Sequence, residues 1–141
     1  MFFNPANDQM RRLNGRRYPH PPLVFKVSAG NLFVRALVSD QRPTADTALC
    51  TAPYWNTNQE DGLVCPGSMK IPETTSVESM RGWEESYFAS EFTHPYGAAH
   101  LTSFPGGFSA LWARLAGRKT AFPVEYLTDA NQTLRSFIEQ R

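Results

Sequence analysis

The apolar positions of this chain change their period partway along it. Leu23 to Val27, Leu32-Phe33-Val34-Arg35-Ala36-Leu37-Val38 and Ala48-Leu49-Cys50 are short β-rich blocks, and the Ser28-Ala29-Gly30-Asn31 link between the first two is a hairpin signal. An antiparallel pair is therefore expected. Asp40 to Thr47, with Arg42-Pro43, reads as a loop, and Gly62-Leu63-Val64-Cys65 as one more short strand. Past Met69 the spacing turns helical. Met80, Trp83, Tyr87, Phe88 and Phe92 form one broad apolar stripe, opened by the capping-box form Thr75-Ser76-Val77-Glu78 and closed by His94-Pro95. Phe108, Leu111, Trp112 and Leu115 fit a second helix face, between Gly106-Gly107 and Gly117. Ala130, Leu134, Phe137 and Ile138 repeat the pattern in a terminal helix with Asp129 as its cap. Strands first and helices afterwards predict an α+β class, with a sheet packed against helices.

Composition narrows the organisation. A chain of 141 residues, 41% of them hydrophobic, supports one core and one domain. Its net charge of +1 gives no global attraction to nucleic acid, so charged partners must be sought in local clusters. Residues 1 to 22 hold such a cluster in Arg11, Arg12, Arg16 and Arg17, among Asn4-Pro5, Asn14-Gly15 and Pro19-His20-Pro21-Pro22. This reads as a basic arm, or the remnant of a longer amino-terminal region, ahead of a domain spanning 23 to 141. The arginines read first as a solvated face, then as a docking surface for an acidic partner protein, and last as a nucleic-acid contact. No signal peptide and no membrane-length apolar stretch is visible, so a cytoplasmic protein is expected, with Cys50 and Cys65 both free.

The most informative stretch runs from Ala52-Pro53-Tyr54-Trp55-Asn56 through Thr57-Asn58-Gln59-Glu60-Asp61-Gly62 to Leu63-Val64-Cys65-Pro66-Gly67. Turn formers on both sides of Cys65 place its sulfur where the chain changes direction, a position both held and reachable. That suits a nucleophile. Cys50, inside an apolar strand without such flanks, reads as core.

Together with Arg42-Pro43-Thr44-Ala45-Asp46-Thr47, Ser90-Glu91-Phe92-Thr93-His94-Pro95 and Pro105-Gly106-Gly107-Phe108, that stretch makes the sequence resemble the prokaryotic ubiquitin-conjugating-enzyme-like family. It is most similar to the B-type members carried in ParB-related, ThiF-related cassettes of bacterial mobile elements. The resemblance implies a UBC-like fold, an antiparallel β-meander packed against helices, with Pro53 matching the turn proline, Gly62 the glycine before the thiol, and Cys65 the catalytic cysteine. Members are generally longer at the amino end, which raises the expectation of a missing amino-terminal portion. The His-Pro-Asn turn of conjugating enzymes appears here as Ala52-Pro53-Tyr54, and the interval from proline to thiol is longer. Asn56 and Asn58 are then the nearby candidates for an oxyanion-stabilising amide, and the side chain of Tyr54 a candidate for shaping access to the thiol.

What the resemblance implies chemically is a thioester carried on Cys65, accepted from a ThiF-like adenylating enzyme and passed to an amine. Such transfer needs an exposed thiolate and donors aimed at the developing oxyanion. It gains from a carboxylate beside the incoming amine, for which Glu60 and Asp61 are candidates. The implied partners are the adenylating enzyme, a ubiquitin-like protein and a JAB-type metalloprotease of the same cassette, with Arg11 to Arg17 docking the activating protein. No cofactor is implied. Two other readings stay open: a non-catalytic UBC-like module that binds a ubiquitin-like protein, and a Cys/His hydrolase pairing Cys65 with His94 or His100. A metal site from Cys50, Cys65, His94 and His100 lacks the close ligand pairs of structural zinc sites.

Overall fold

The computed structural model describes residues 2–3, 8–93 and 100–140. In chain order its elements are strand β1 (Phe2–Phe3), the single turn α1 (Asp8–Arg11), strands β2 (Leu23–Ser28), β3 (Asn31–Ala36) and β4 (Ala48–Thr51), helix α2 (Met80–Ala89), strand β5 (Glu91–Phe92), helix α3 (Gly107–Leu115), strand β6 (Asp129–Thr133) and helix α4 (Leu134–Glu139). Strands β2-β3-β4-β6 form an antiparallel sheet in that order, and β1 pairs parallel with β5. The fold is α+β and UBC-like, a meander against helices.

The β2–β3 hairpin follows from its turn. Ser28 pairs with Asn31, and the two residues between, Ala29 and Gly30, both have positive φ, 48° and 75°. That is the turn whose twist matches the strands it joins. Alternation along β3 then sends Leu32 and Val34 into one cluster with Trp83 and Tyr87 of α2 and Leu111, Trp112 and Leu115 of α3. Phe33 and Leu37 point the other way, onto Leu49 and Phe137 of α4. The sheet is therefore covered on both faces.

The sequence placed several boundaries differently. No side chain caps α2 at Ser79; a 3-10 turn at Val77–Ser79 precedes it, and Glu78 bonds its own amide and Ser76, which lowers its pKa. The expected box at Thr75 is thus used to shape a loop, which the Ser79 hydroxyl and the Trp83 indole both tie down by donating to the Thr74 carbonyl. Helix α2 stops at Ala89, because Ser90 is already extended; Phe92 belongs to β5, and His94-Pro95 lies outside the described residues. Asp129 does not cap the last helix. It opens β6 opposite Cys50, and α4 starts five residues later, at Leu134, with a capping box made by Thr133 and Ser136. Ile138 is exposed, not core. The segment expected as an arm is built into the core at Met10, Leu13 and Tyr18, the last meeting Trp112 edge-on at 5.6 Å, while Arg11, Arg12, Arg16 and Arg17 face solvent.

Candidate functional site

Beyond Thr51 the chain leaves β4, passes through the buried run Ala52 to Asn56, and turns back on itself as a small hairpin. Thr57 bridges Val64 antiparallel, the Asn58 amide donates to the Leu63 carbonyl at 2.8 Å, and the Cys65 amide donates to the Asn56 carbonyl at 2.7 Å. The returning limb docks on β3, where β4 no longer pairs: the Val34 amide donates to Gly62 O and the Val64 amide to Leu32 O. The strand expected at Gly62 to Cys65 is thus two isolated bridges. Gly62, at φ 80°, is the one residue that fits its position, since a Cβ there would lie 2.8 Å from the Val34 carbonyl oxygen.

This hairpin delivers Cys65 to its end. The residue is half-buried and its thiol is free, and Pro66, Gly67 and Ser68 after it are exposed. A turn closed by the Met69 amide on Pro66 O follows. The Ser68 hydroxyl accepts from the Glu91 amide at 2.9 Å, so the cysteine turn is tied to β5.

Asn56, directly across from Cys65, is tied to the same strand. Its Nδ2 donates to Glu91 O at 2.7 Å and its Oδ1 accepts from both the amide and the hydroxyl of Thr93 at 3.2 Å. The residue is 3% exposed and sits at φ 67°, where asparagine is among the few tolerated side chains. Its amide borders the cysteine turn, because Nδ2 lies 4.0 Å from where a Cβ on Gly67 would stand.

The other residues singled out by sequence lie elsewhere. Tyr54, expected to shape access to the thiol, is fully buried among Tyr87, Phe88, Phe92 and Trp112; its hydroxyl shares a 2.8 Å bond with His20 Nδ1, and burial holds its pKa well above the usual phenol value. Asn58 spends its Oδ1 on the Glu60 amide at 2.8 Å, and Asp61 its Oδ1 on the Leu63 amide at 2.9 Å. Both shape the turn by local side-chain bonds. Glu60 is exposed, and its carbonyl accepts from Arg35. Cys50 is half-buried, with burial and then the Asp129 charge raising its pKa, which keeps it a thiol. His100 is exposed, and His94 falls outside the described residues. Among the described residues no group of three His, Cys, Asp or Glu side chains is arranged to hold a metal.

Two features of the surface frame this site. A cleft of about 610 Å³ begins at Ser68 and runs between Lys70-Ile71-Pro72 and the Gly82, Ser86 and Ala89 side of α2, with Ile71 half-exposed beside it. A second, of about 430 Å³, lies between Arg12 and Arg16 on one wall and Ala110 and Ala113 of α3, with Ala116 just past it, on the other. The Gly117 amide donates to Arg17 O at 2.9 Å. This brings Arg12, Arg16 and Arg17 beside the end of α3, which carries Arg114 in its last turn and is followed by Arg118 and Lys119.

The model of prokaryotic E2 family D matches residues 1–130. The chain belongs to that family. It is thus an E2-like, that is ubiquitin-conjugating-enzyme-like, protein, a class that works with a ubiquitin-like protein and an activating enzyme. No curated protein and no solved structure matches this E2-like chain. None of its described helices is long and apolar enough to cross a membrane.

Sequence reasoning passed over the residues that hold the hairpin in place. Arg35 is the main one, 0% exposed inside β3. A charged residue in the apolar run Leu32 to Val38 was the available signal. Ser68, Gln132 and Gln140 carried none.

Proposed function

We propose that this chain is a conjugating-type transferase whose acyl carrier is Cys65. The Cys65 thiolate attacks the carbonyl of the thioester joining a ubiquitin-like protein's carboxyl terminus to a cysteine of a ThiF-like adenylating protein. A new thioester forms on Cys65, and the adenylating protein's sulfur leaves with the electron pair. An amine then attacks the same carbonyl, its proton is lost to base, and the Cys65 sulfur departs as an amide forms. Any ATP is consumed upstream, by the adenylating partner.

The observation that carries this reading is the pairing of Cys65 with Asn56 across the end of the hairpin, the cysteine half-buried and the amide beside its turn. Of the two protons on Asn56 Nδ2, Glu91 takes one. The other serves as the oxyanion donor, a role worth about 3 kcal/mol in acyl transfer. Asn58 and Asp61 act by shaping the turn, and Tyr54 as its buried footing. The cleft that starts at Ser68 is suited to the extended tail of the ubiquitin-like protein, and the Arg12–Arg16 cleft to an acidic surface of the adenylating protein.

The test is reconstitution with a ThiF-like protein, a ubiquitin-like protein and ATP. Expected is an adduct removed by thiol reductant, absent in Cys65→Ala and converted to a reductant-resistant ester in Cys65→Ser. Binding without any adduct would leave a recognition module instead; ATP-independent cleavage of a preformed conjugate would point to a hydrolase.

A further inference from the structure

The turn ahead of Cys65 presents four consecutive carbonyls, from Gln59 to Gly62, and each accepts a bond from outside the turn. Arg35 Nη1 donates to Gln59 O at 2.9 Å and Arg35 Nη2 to Glu60 O at 2.6 Å. Gln140 Nε2 donates to Asp61 O at 2.9 Å, and the Val34 amide to Gly62 O at 2.8 Å. The two side chains that do this are themselves joined. Arg35 Nε donates to Gln132 Oε1 at 2.9 Å, and Gln132 Nε2 donates to Gln140 Oε1 at 2.7 Å.

Each amide in this chain therefore has its orientation fixed by the next. Gln140 is fixed in turn by Lys26, whose ammonium donates to the Phe137 and Gln140 carbonyls at 2.8 Å and lies 4.6 Å from the Phe33 ring centre. A buried guanidinium is costly unless its donors are met. Here Nε, Nη1 and Nη2 each have an acceptor, and the nearby Asp61 charge works against the lowering that burial imposes on the Arg35 pKa. Such an arrangement specifies one position for the turn.

We infer that Arg35, Gln132 and Gln140 are positioning residues for Cys65: the carboxyl-terminal segment, through Gln132 of β6 and Gln140 just past α4, latches the turn and so sets where the thiol stands. Gln132, Phe137 and Gln140 lie beyond residue 130, where the family match ends. The latch's consequence for transfer rests on Cys65 being the acyl carrier; the latch itself does not.

Both parts are tested on the whole chain in a Cys50→Ser background. Gln140→Met keeps the length of the side chain and removes its amide. Exchange of the Gly62 and Val64 amide protons should then quicken by about fivefold, the worth of one such hydrogen bond, and iodoacetamide should alkylate Cys65 measurably faster. Arg135→Ala, on α4 but paired with Asp46, should change neither. Gln132→Met should match Gln140→Met, and Arg35→Lys, which keeps the charge but not the fork, should exceed both. Wild-type exchange at Gly62 and Val64 in Gln140→Met, or quickening no larger than that of the whole chain, overturns the latch. A wild-type protein that forms no adduct with its partners refutes the transfer reading and leaves this result standing.

Discussion

The amide of Cys65 donates to the carbonyl of Asn56 at 2.7 Å, and the Asn56 side chain makes three further bonds to Glu91 and Thr93. One asparagine thereby joins the hairpin that carries the thiol to the strand beside it. Replacing it with alanine strands the Glu91 carbonyl and the Thr93 amide and leaves a β-carbon at φ 67°. Asn56→Ala should cost about 2 to 3 kcal/mol. Asn56→Gly loses the same bonds without the backbone strain and should recover roughly 1 kcal/mol of that. Urea melts of the two variants against wild type check the order; equal losses would mean that the side-chain bonds alone matter.

Gly62 and Gly30 provide a matched pair. Both have positive φ, but a Cβ on Gly62 would meet the Val34 carbonyl at 2.8 Å while one on Gly30 would meet nothing within 4 Å. Gly30→Ala should cost about 1 kcal/mol, the strain alone. Gly62→Ala should cost at least about 2 kcal/mol more, because a carbonyl in the sheet ladder cannot step aside. Chemical denaturation of both proteins gives the comparison directly.

His20 makes stability depend on pH. Its ring lies against Phe88 at 4.8 Å and Tyr54 at 5.9 Å, and this burial pushes its pKa down from 6.5 to about 4. The unfolded chain therefore binds the proton more readily between those values. The contribution is complete above pH 6.5 and is lost as pH falls toward 4. Because the residue as a whole is exposed despite these ring contacts, the loss is much smaller than the full shift would imply. His20→Gln should flatten the melting-temperature profile between pH 6.5 and 4, and an unchanged slope would assign the effect to other groups.

Arg12 and Arg16 wall a cleft whose floor is alanine. Reversing both to glutamate should leave the melting temperature nearly unchanged, since exposed charges away from buried partners shift stability by less than about 0.5 kcal/mol. Association with an acidic activating protein should slow by roughly tenfold or more at low salt, and the difference should shrink as salt is raised. Stopped-flow association across a salt series reads this. Equal rates at low salt would remove the arginines from the docking surface.

The parts of this fold that the sequence showed are those fixed by neighbours along the chain. The Ala29-Gly30 turn and the face of α3 were legible because turn chemistry and a four-residue rhythm are local. Strand β6 was not: Asp129-Ala130-Asn131-Gln132-Thr133 has no apolar alternation, and it becomes a strand only by pairing with β4. The apolar stripe predicts a longer α2 than forms, because Phe92 continues it while belonging to the next strand. The Cys65 turn could be found from its flanking glycines and prolines. What holds it could not, since the Gln140–Asp61 bond spans 79 positions and neither residue has any pattern that announces the other.

Two segments far apart in sequence reach toward the Cys65 turn. Phe2–Phe3 runs beside Glu91–Phe92, the strand that Asn56 and Ser68 grip, while Gln140 holds Asp61. A tag or fluorophore placed beside Phe3 or Gln140 is therefore expected to disturb the turn it is meant to report. The open tip of the first hairpin, at Ala29 and Gly30, is the quiet place for a label.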